Sequence, residues 1–581
     1  MSVAVLNCSY ASAQQPVAAA AGAGNIPTVV IDASSFLHNI PLGDEYIDGK
    51  PNHPGTPQQR PAYFNNQAVA LNTRAYLSCI REIPEAGTYY LYVKGHGPAQ
   101  SSFRMSVNAK VTDKDFGNTP DNTLQPGGKF ELPKGPVRIV VSHINEGSTF
   151  DAAFLSKSDM LSEADLPALE YGGNEVKVLA DINTGGGTPK FGDIDGDGKM
   201  DVLSIGNDRS ASVYLNDGTK LWGWSPQDGP PVSNDHFEPP GLIWDMDRDG
   251  TGEVVHWRIE DGKEKLVIAD GMTGAVRHVV DWPTPPLPHE YYNFRLAIAN
   301  LDGGYPDQIV VLTDPSDDFK SVAAYGPTLI KLWEHTEKLK KDHLGHYVYP
   351  VDLTGDGIDE IFLSALTLDA KGKKIWDRFN VFFDNRDHAD SFRFVDLTGD
   401  GVPELLGPWG DAGVIAMDAR TGKILWHHLA AHAQQLEFGN FLKGKPAPQV
   451  AVNARVYPEI TGGDLSADVH WFDRRGSLIS IWPSLQLKGN PDFYKGDWYG
   501  NGTEVLFWHR FRMKPDGTGD LYFAETGIHM FDFDGNGTDD VITTGGGGVK
   551  VYSWSGAPET GKRKLTDPNK LRWSVTNLTH Y

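Results

Sequence analysis

The chain has 581 residues, with 52 Lys+Arg against 76 Asp+Glu and a formal net charge of −24. A hydrophobic content of 40% and an aromatic content of 11% supply a real core and exclude global disorder. The acidity excludes nucleic acid and anionic membrane as partners, since phosphates are held by clustered Lys and Arg. Two cysteines, Cys8 and Cys79, exclude a disulfide framework and a cysteine zinc site.

Residues 1–25 are small, apolar and uncharged, and Ala11-Ser12-Ala13 before Gln14-Gln15 has the pattern of a leader cleavage site. The expectation is a secreted or periplasmic protein whose Cys8 leaves with the leader. No run of about 18 apolar residues follows, so no membrane span is expected. Residues 28–160 carry alternating strands, Thr88–Val93, Ser102–Val107, Val137–Ser142 and Phe150–Leu155, separated by turn signals such as Glu85-Ala86-Gly87. This pattern predicts an antiparallel β-sandwich, either carbohydrate-binding or purely packing. Leu161–Tyr171 reads as a linker.

From residue 170 to 581 one unit recurs: a short apolar strand, an acidic glycine-bearing loop, then a second apolar strand. Five loops are complete. They are Asp193-x-Asp195-x-Asp197-Gly198 closing at Asp201, and Asp245-x-Asp247-x-Asp249-Gly250 closing at Glu253. Next come Asp352-x-Thr354-x-Asp356-Gly357 with Glu360, and Asp396-x-Thr398-x-Asp400-Gly401 with Glu404. The last is Asp532-x-Asp534-x-Asn536-Gly537 with Asp540. Degenerate copies start at Asn300, Asn440 and Asp497. A second element, Asp418-Ala-Arg-Thr-Gly422-Lys-Ile-Leu-Trp426, returns around Gly218 and Trp222, Gly372 and Trp376, and Gly476, each as a glycine-turn hairpin. Two strands around the loop and two around the hairpin make a four-stranded sheet, and eight such units predict an all-β chain with an eight-bladed β-propeller.

Oxygen ligands at positions 1, 3, 5 and 9, with glycine at position 6, suit a hard cation, so the five complete loops are expected to bind structural Ca²⁺ and the degenerate ones to be plain turns. The opposite rim carries a second recurrence. A histidine precedes each of five loops by 8 to 11 residues: His236, His289, His343, His388 and His432. After the second strands come Arg209, Arg258, Trp409, Arg455 with Tyr457, and His509 with Arg510. Guanidiniums clamp carboxylates, aromatic faces stack on sugar rings, and neutral imidazole takes protons near pH 7. This set fits an acidic polysaccharide substrate. His289 or His432 is the expected base, His236, His343 and His388 are further candidates, and Tyr457 is the expected acid. Arg209, Arg258, Trp409, Arg455, His509 and Arg510 are the expected substrate contacts.

The loops, with Ala431-His432-Ala433-Gln434-Gln435 before Phe438-Gly439-Asn440-Phe441 and the stretches from Ala299 to Val310 and His529 to Asp540, resemble the calcium-bearing propellers of the family 11 type of rhamnogalacturonan lyase. The resemblance spans about residues 175–581. It implies an extracellular, calcium-bound enzyme that cleaves a uronic-acid-containing glycan by β-elimination. The front of the chain departs from that family, lacking its fibronectin-like segment, which leaves the glycan open. A non-catalytic glycan-binding or adhesion propeller of the FG-GAP type, or a glycoside hydrolase, would use the same fold. A monomer is expected.

Overall fold

The computed structural model describes residues 28–32, 46–47, 50–51, 56–59, 67–70, 76–145, 147–166, 176–206, 208–226, 240–283, 295–316, 319–338, 347–363, 365–378, 391–410, 412–430, 432–442, 444–456, 466–483, 493–508, 511–513, 519–522, 526–545 and 547–558. The expected leader lies outside them. Among them all regular structure is strand, apart from a short 3₁₀ turn at Glu163–Asp165. No helix there is long and apolar enough to cross a membrane.

The front of the chain forms two antiparallel sheets. One has six strands, with Thr149–Ser156 at its heart between Gly87–His96 and Gln67–Ala70 and also paired with Thr28–Asp32. The other is ordered Tyr76–Ile83, Gly135–Asn145, Ser102–Val107, Lys110–Val111. Leu91, Val93 and Phe130 of the first and Cys79, Met105 and Ile139 of the second share one buried core. Alternation of apolar and polar residues gives each sheet one face to bury, and the two faces bury each other.

Residues 176–554 form eight four-stranded antiparallel sheets among the described residues. Sheet one is Thr188–Gly192, Asp201–Ile205, Ala211–Tyr214, Lys220–Trp224. Sheet two is Gly241–Trp244, Glu253–Glu260, Lys263–Asp270, Val276–Asp281. Sheet three is Arg295–Ala299, Gln308–Ser316, Phe319–Tyr325, Lys331–Lys338. Sheet four is Tyr349–Val351, Glu360–Leu363, Leu366–Leu368, Lys374–Asp377. Sheet five is Arg393–Val395, Glu404–Pro408, Val414–Asp418, Lys423–His428. Sheet six is His432–Gly439, Gln449–Val456, Ser466–Asp473, Leu478–Pro483. Sheet seven is Phe493–Gly496, Val505–Trp508, Phe511–Met513, Gly519–Tyr522. Sheet eight joins Thr526–Phe531, Asp540–Gly545 and Gly548–Trp554 to Val176–Asn183 from the front of the repeat region.

In sheet one the second strand is buried on both faces, whereas fourth strands such as Lys331–Lys338 and Lys423–His428 alternate with solvent. That gradient is what a sheet sandwiched between neighbours and open at its last edge requires. Two devices tie neighbours together. The acidic loops of four neighbouring pairs of sheets hydrogen-bond to each other: Gly252 N donates to Ile194 O at 3.0 Å, Asp359 N to Asn300 O at 2.8 Å, Asp539 N to Asp497 O at 3.1 Å, and Met200 N to Phe533 O at 2.8 Å. The last of these links sheet one to sheet eight, where Phe191 also packs 5.2 Å from Phe531.

The second device is a tryptophan. Trp222, Trp333, Trp376 and Trp426 of the fourth strands donate Nε1–H to the backbone oxygens of Gly271, Ala370, Ala419 and Arg474 in the next sheet, at 2.7, 2.9, 3.1 and 3.3 Å. Each indole lies flat on the glycine of that sheet's hairpin, Gly274, Gly372, Gly422 and Gly476, where an added Cβ would sit 2.5–2.8 Å from ring atoms. The hairpin repeat read in the sequence is therefore a sheet-to-sheet latch, its glycine meeting one indole and its tryptophan reaching onward.

Candidate functional site

Every acidic loop joins the first strand of its sheet to the second, so the loops share one rim, together with the third-to-fourth-strand hairpins. In each complete loop the first aspartate accepts backbone N–H groups that curl the loop around it. Asp193, for example, takes Gly196 N at 2.8 Å and Gly198 N at 2.9 Å. The closing acid accepts the N–H of position 2: Ile194 to Asp201, Met246 to Glu253, Leu353 to Glu360, Leu397 to Glu404 and Phe533 to Asp540, at 2.7–2.9 Å.

In three loops the carboxylates converge. Asp193, Asp195 and Asp197, then Asp245, Asp247 and Glu253, then Asp532, Asp534 and Asp540 each bring oxygens within 4.8 Å of one another. Burial first, with the charge of neighbouring carboxylates behind it, pushes Asp193 up to about 6, Asp201 and Glu253 to about 7 and Asp540 to about 8. One oxygen of buried Asp540 has no close hydrogen-bond partner, with the Ser553 hydroxyl near the carboxylate. Crowded, desolvated carboxylates with a spare oxygen fit a hard divalent cation. The loops of sheets four and five carry threonine at position 3, and in them burial raises Glu360 to about 7.

Loop two holds a residue that the sequence reading missed. Arg277, three residues after the hairpin glycine Gly274, sends Nη1 to Asp247 and Glu253 and Nη2 to Asp270, all at 2.6 Å. Its guanidinium supplies positive charge inside the acidic cluster. In loop one Asn216 of the hairpin donates to Asp201 and Asp197. Only the return of the chain in the third dimension brings either residue to its loop.

The opposite rim carries the starts of the first strands and the turns between second and third strands. There the expected residues divide. His236, His289, His343, His388, Tyr457, His509 and Arg510 lie outside the described residues. His432 opens sheet six, half-buried, and its cross-strand partner is Arg455, whose backbone is described and whose side chain is not. Strand pairing thus puts a candidate base directly opposite a candidate carboxylate clamp.

Three expected substrate contacts are corrected by the structure. Trp409 is fully buried, packed 5.0 Å from Phe392, and presents no face to a sugar. Arg209, 3% exposed, lies 3.6 Å over the Trp257 ring and 3.2 Å from Glu264. Arg258, 2% exposed, lies 4.9 Å over Trp224, with Nε 2.6 Å from His256 Nε2. A planar guanidinium is less strongly hydrated than an ammonium and stacks on indoles, which is why these two arginines turn inward rather than out. Burial, then Arg258, holds His256 well below the usual histidine range, and burial against Arg209 leaves Glu264 at about 7. The pair braces sheets one and two at the rim.

The profile of the FG-GAP-like repeat matches residues 193–256, the first two acidic loops and the strands between them. No curated protein matches the sequence. Solved structures do match in shape. An exotype rhamnogalacturonan lyase, YesX, superposes with a TM-score of 0.55 at 18% identity over 83% of this chain and 91% of its own. The fold is shared with rhamnogalacturonan lyases. The lyase YesW gives 0.55 at 16% identity over 91% and 94%, and the Bacillus licheniformis rhamnogalacturonan lyase PL11 gives 0.54 at 16% over 86% and 96%.

Proposed function

We propose that the chain is a secreted, monomeric polysaccharide lyase that cleaves a uronic-acid-containing, rhamnogalacturonan-like glycan by β-elimination. Residues 28–160 are its β-sandwich and residues 170–581 its eight-bladed propeller. The observation that carries this reading is the register of sheet six, which sets His432 opposite Arg455 on the rim away from the acidic loops. The shared fold and the loop-to-loop bonding that runs from sheet eight back to sheet one support the propeller.

In the proposed reaction Arg455 pairs with the uronate carboxylate, which stabilises charge as it develops at C5. His432, as the neutral imidazole, takes the C5 proton. The C4–C5 double bond forms as the C4–O bond breaks, and the departing oxygen receives a proton from Tyr457. His289 is the alternative base. Ca²⁺ bound by the complete loops would neutralise their carboxylates and stiffen that rim. The chemistry takes place at the other.

A second reading, a glycan-binding propeller without catalysis, draws on the burial of Arg209, Arg258 and Trp409, which removes three expected contacts from the rim surface. The test is a panel of rhamnogalacturonan, homogalacturonan, ulvan and gum arabic with calcium, read by ultraviolet absorbance of an unsaturated uronyl product. A rise on one substrate supports the lyase and names its substrate. Reducing ends without absorbance transfer the site to a hydrolase. Binding without either signal establishes the second reading.

A further inference from the structure

We infer that the degenerate loops of sheets three and six close on a glutamine carboxamide in place of a cation and bind no calcium. The inference rests on the calcium reading of the complete loops and concerns what replaces the ion where those loops fail. In the complete loops one oxygen of the closing carboxylate accepts the position 2 N–H, and its other oxygen is a second acceptor, able to take an ion or a donor such as Asn216 in loop one and Arg277 in loop two. Gln308 keeps the first half of that arrangement: its Oε1 accepts Leu301 N at 2.7 Å. Where the second oxygen would stand it has an NH₂ group, which donates to Asp307 and, at 3.4 Å, to Asp302.

The first position is converted in the same way. Asn300 Oδ1 accepts Gly303 N at 2.9 Å, while its Nδ2 donates to Gly304 O and Gly357 O, both at 3.0 Å. Backbone N–H groups only donate and carbonyls only accept, so these partners fix which way each amide points. Asp307, one of the two carboxylates left in the loop, is engaged by Arg248 of loop two at 2.6 Å. Sheet six repeats the solution with no carboxylate between Asn440 and Gln449. Gln449 Oε1 accepts Phe441 N at 2.8 Å and Leu442 N at 2.9 Å, and its Nε2 donates to Pro446 O at 2.7 Å. An N–H aimed into a loop repels a cation and does the cross-linking that the ion would do.

The experiment counts calcium per chain by elemental analysis on the full-length protein equilibrated with calcium, alongside the calcium-induced shift in Tm. The Asn300→Asp/Gln308→Glu variant keeps the acceptor oxygen and replaces both amides, at positions 1 and 9, by carboxylates that join Asp302 and Asp307, and it should bind one calcium more than the wild type with a larger shift. Gln308→Leu should bind the wild-type number while melting earlier. A double variant that gains no calcium overturns the inference. So does Gln308→Leu losing one calcium with its far-ultraviolet spectrum unchanged. Should Gln308→Leu fail to fold, the double variant decides alone. A wild-type count of zero would sink the calcium reading of the complete loops and this inference with it, whereas a wild type that binds calcium and a double variant that gains none would overturn this inference alone.

Discussion

Gly422→Ala tests the tryptophan latch directly. Gly422 has φ +66°, and a Cβ there would lie 2.8 Å from the Trp376 ring, which is buried and hydrogen-bonded to Ala419 O. Left-handed backbone costs a non-glycine residue about 1–2 kcal/mol. Forcing a methyl group into a packed contact adds about 1–3 kcal/mol. The expected loss is therefore about 2–5 kcal/mol. Gly218 is the internal control: its φ is +87°, but nothing lies within 4 Å of its Cβ position, so Gly218→Ala should lose only the backbone part. Urea unfolding followed by circular dichroism gives the two midpoints. Combining Gly422→Ala with Trp376→Ala removes the clashing ring, so the pair should cost less than the sum of the single changes. Equal losses for Gly422→Ala and Gly218→Ala, or strict additivity of the double change, would refute the latch.

Three further outcomes are expected. His432→Ala should lower lyase turnover by roughly 10²–10⁴-fold while glycan binding persists, and unaltered turnover would remove His432 as base. In chelator the protein should lose stability as pH rises from about 4, the loss levelling off above about 8. Asp193, Asp201, Glu253, Glu360 and Asp540 have folded-state values above their unfolded values of about 4, so their protonated forms favour the fold at low pH and that contribution disappears as they ionise. Added calcium should reverse the trend, since it binds the ionised form, and melting curves across pH with and without calcium would show a crossing. Arg277→Gln should lower Tm in chelator more than in saturating calcium, because the ion supplies the counter-charge that Asp247, Glu253 and Asp270 lose; an equal drop in both would show that Arg277 and the ion do not share a role.

The acidic loops were legible because a cation cradle needs oxygens at alternate positions of one short segment, and that leaves a pattern of nine residues. The hairpin repeat was legible as a turn but not as a latch, since the oxygen that Trp222 binds lies 49 residues further along the chain and the one for Trp376 lies 43. Burial was the blind point at the rim. Trp409 and Arg258 sit in the same sequence context as a substrate platform and a clamp, and only packing against Phe392 and Trp224 shows that they face inward. The degenerate copies at Asn300 and Asn440 read as plain turns, and only the direction of the Gln308 and Gln449 amides shows how they close. Most of the recurring histidines precede the first strands in stretches outside the described residues, so His432 alone stands for that pattern here.

Sheet eight is made from both ends of the repeat region, and this sets a timetable for synthesis. Val176–Asn183 leaves the ribosome early, but its partner Gly548–Trp554 follows about 365 residues later. At about 5–20 residues per second that is roughly 20–70 s during which an unpaired strand edge is available to other chains. Completion of sheet eight therefore comes late in synthesis, and slow elongation or a stalled ribosome would be felt first as aggregation through this one strand.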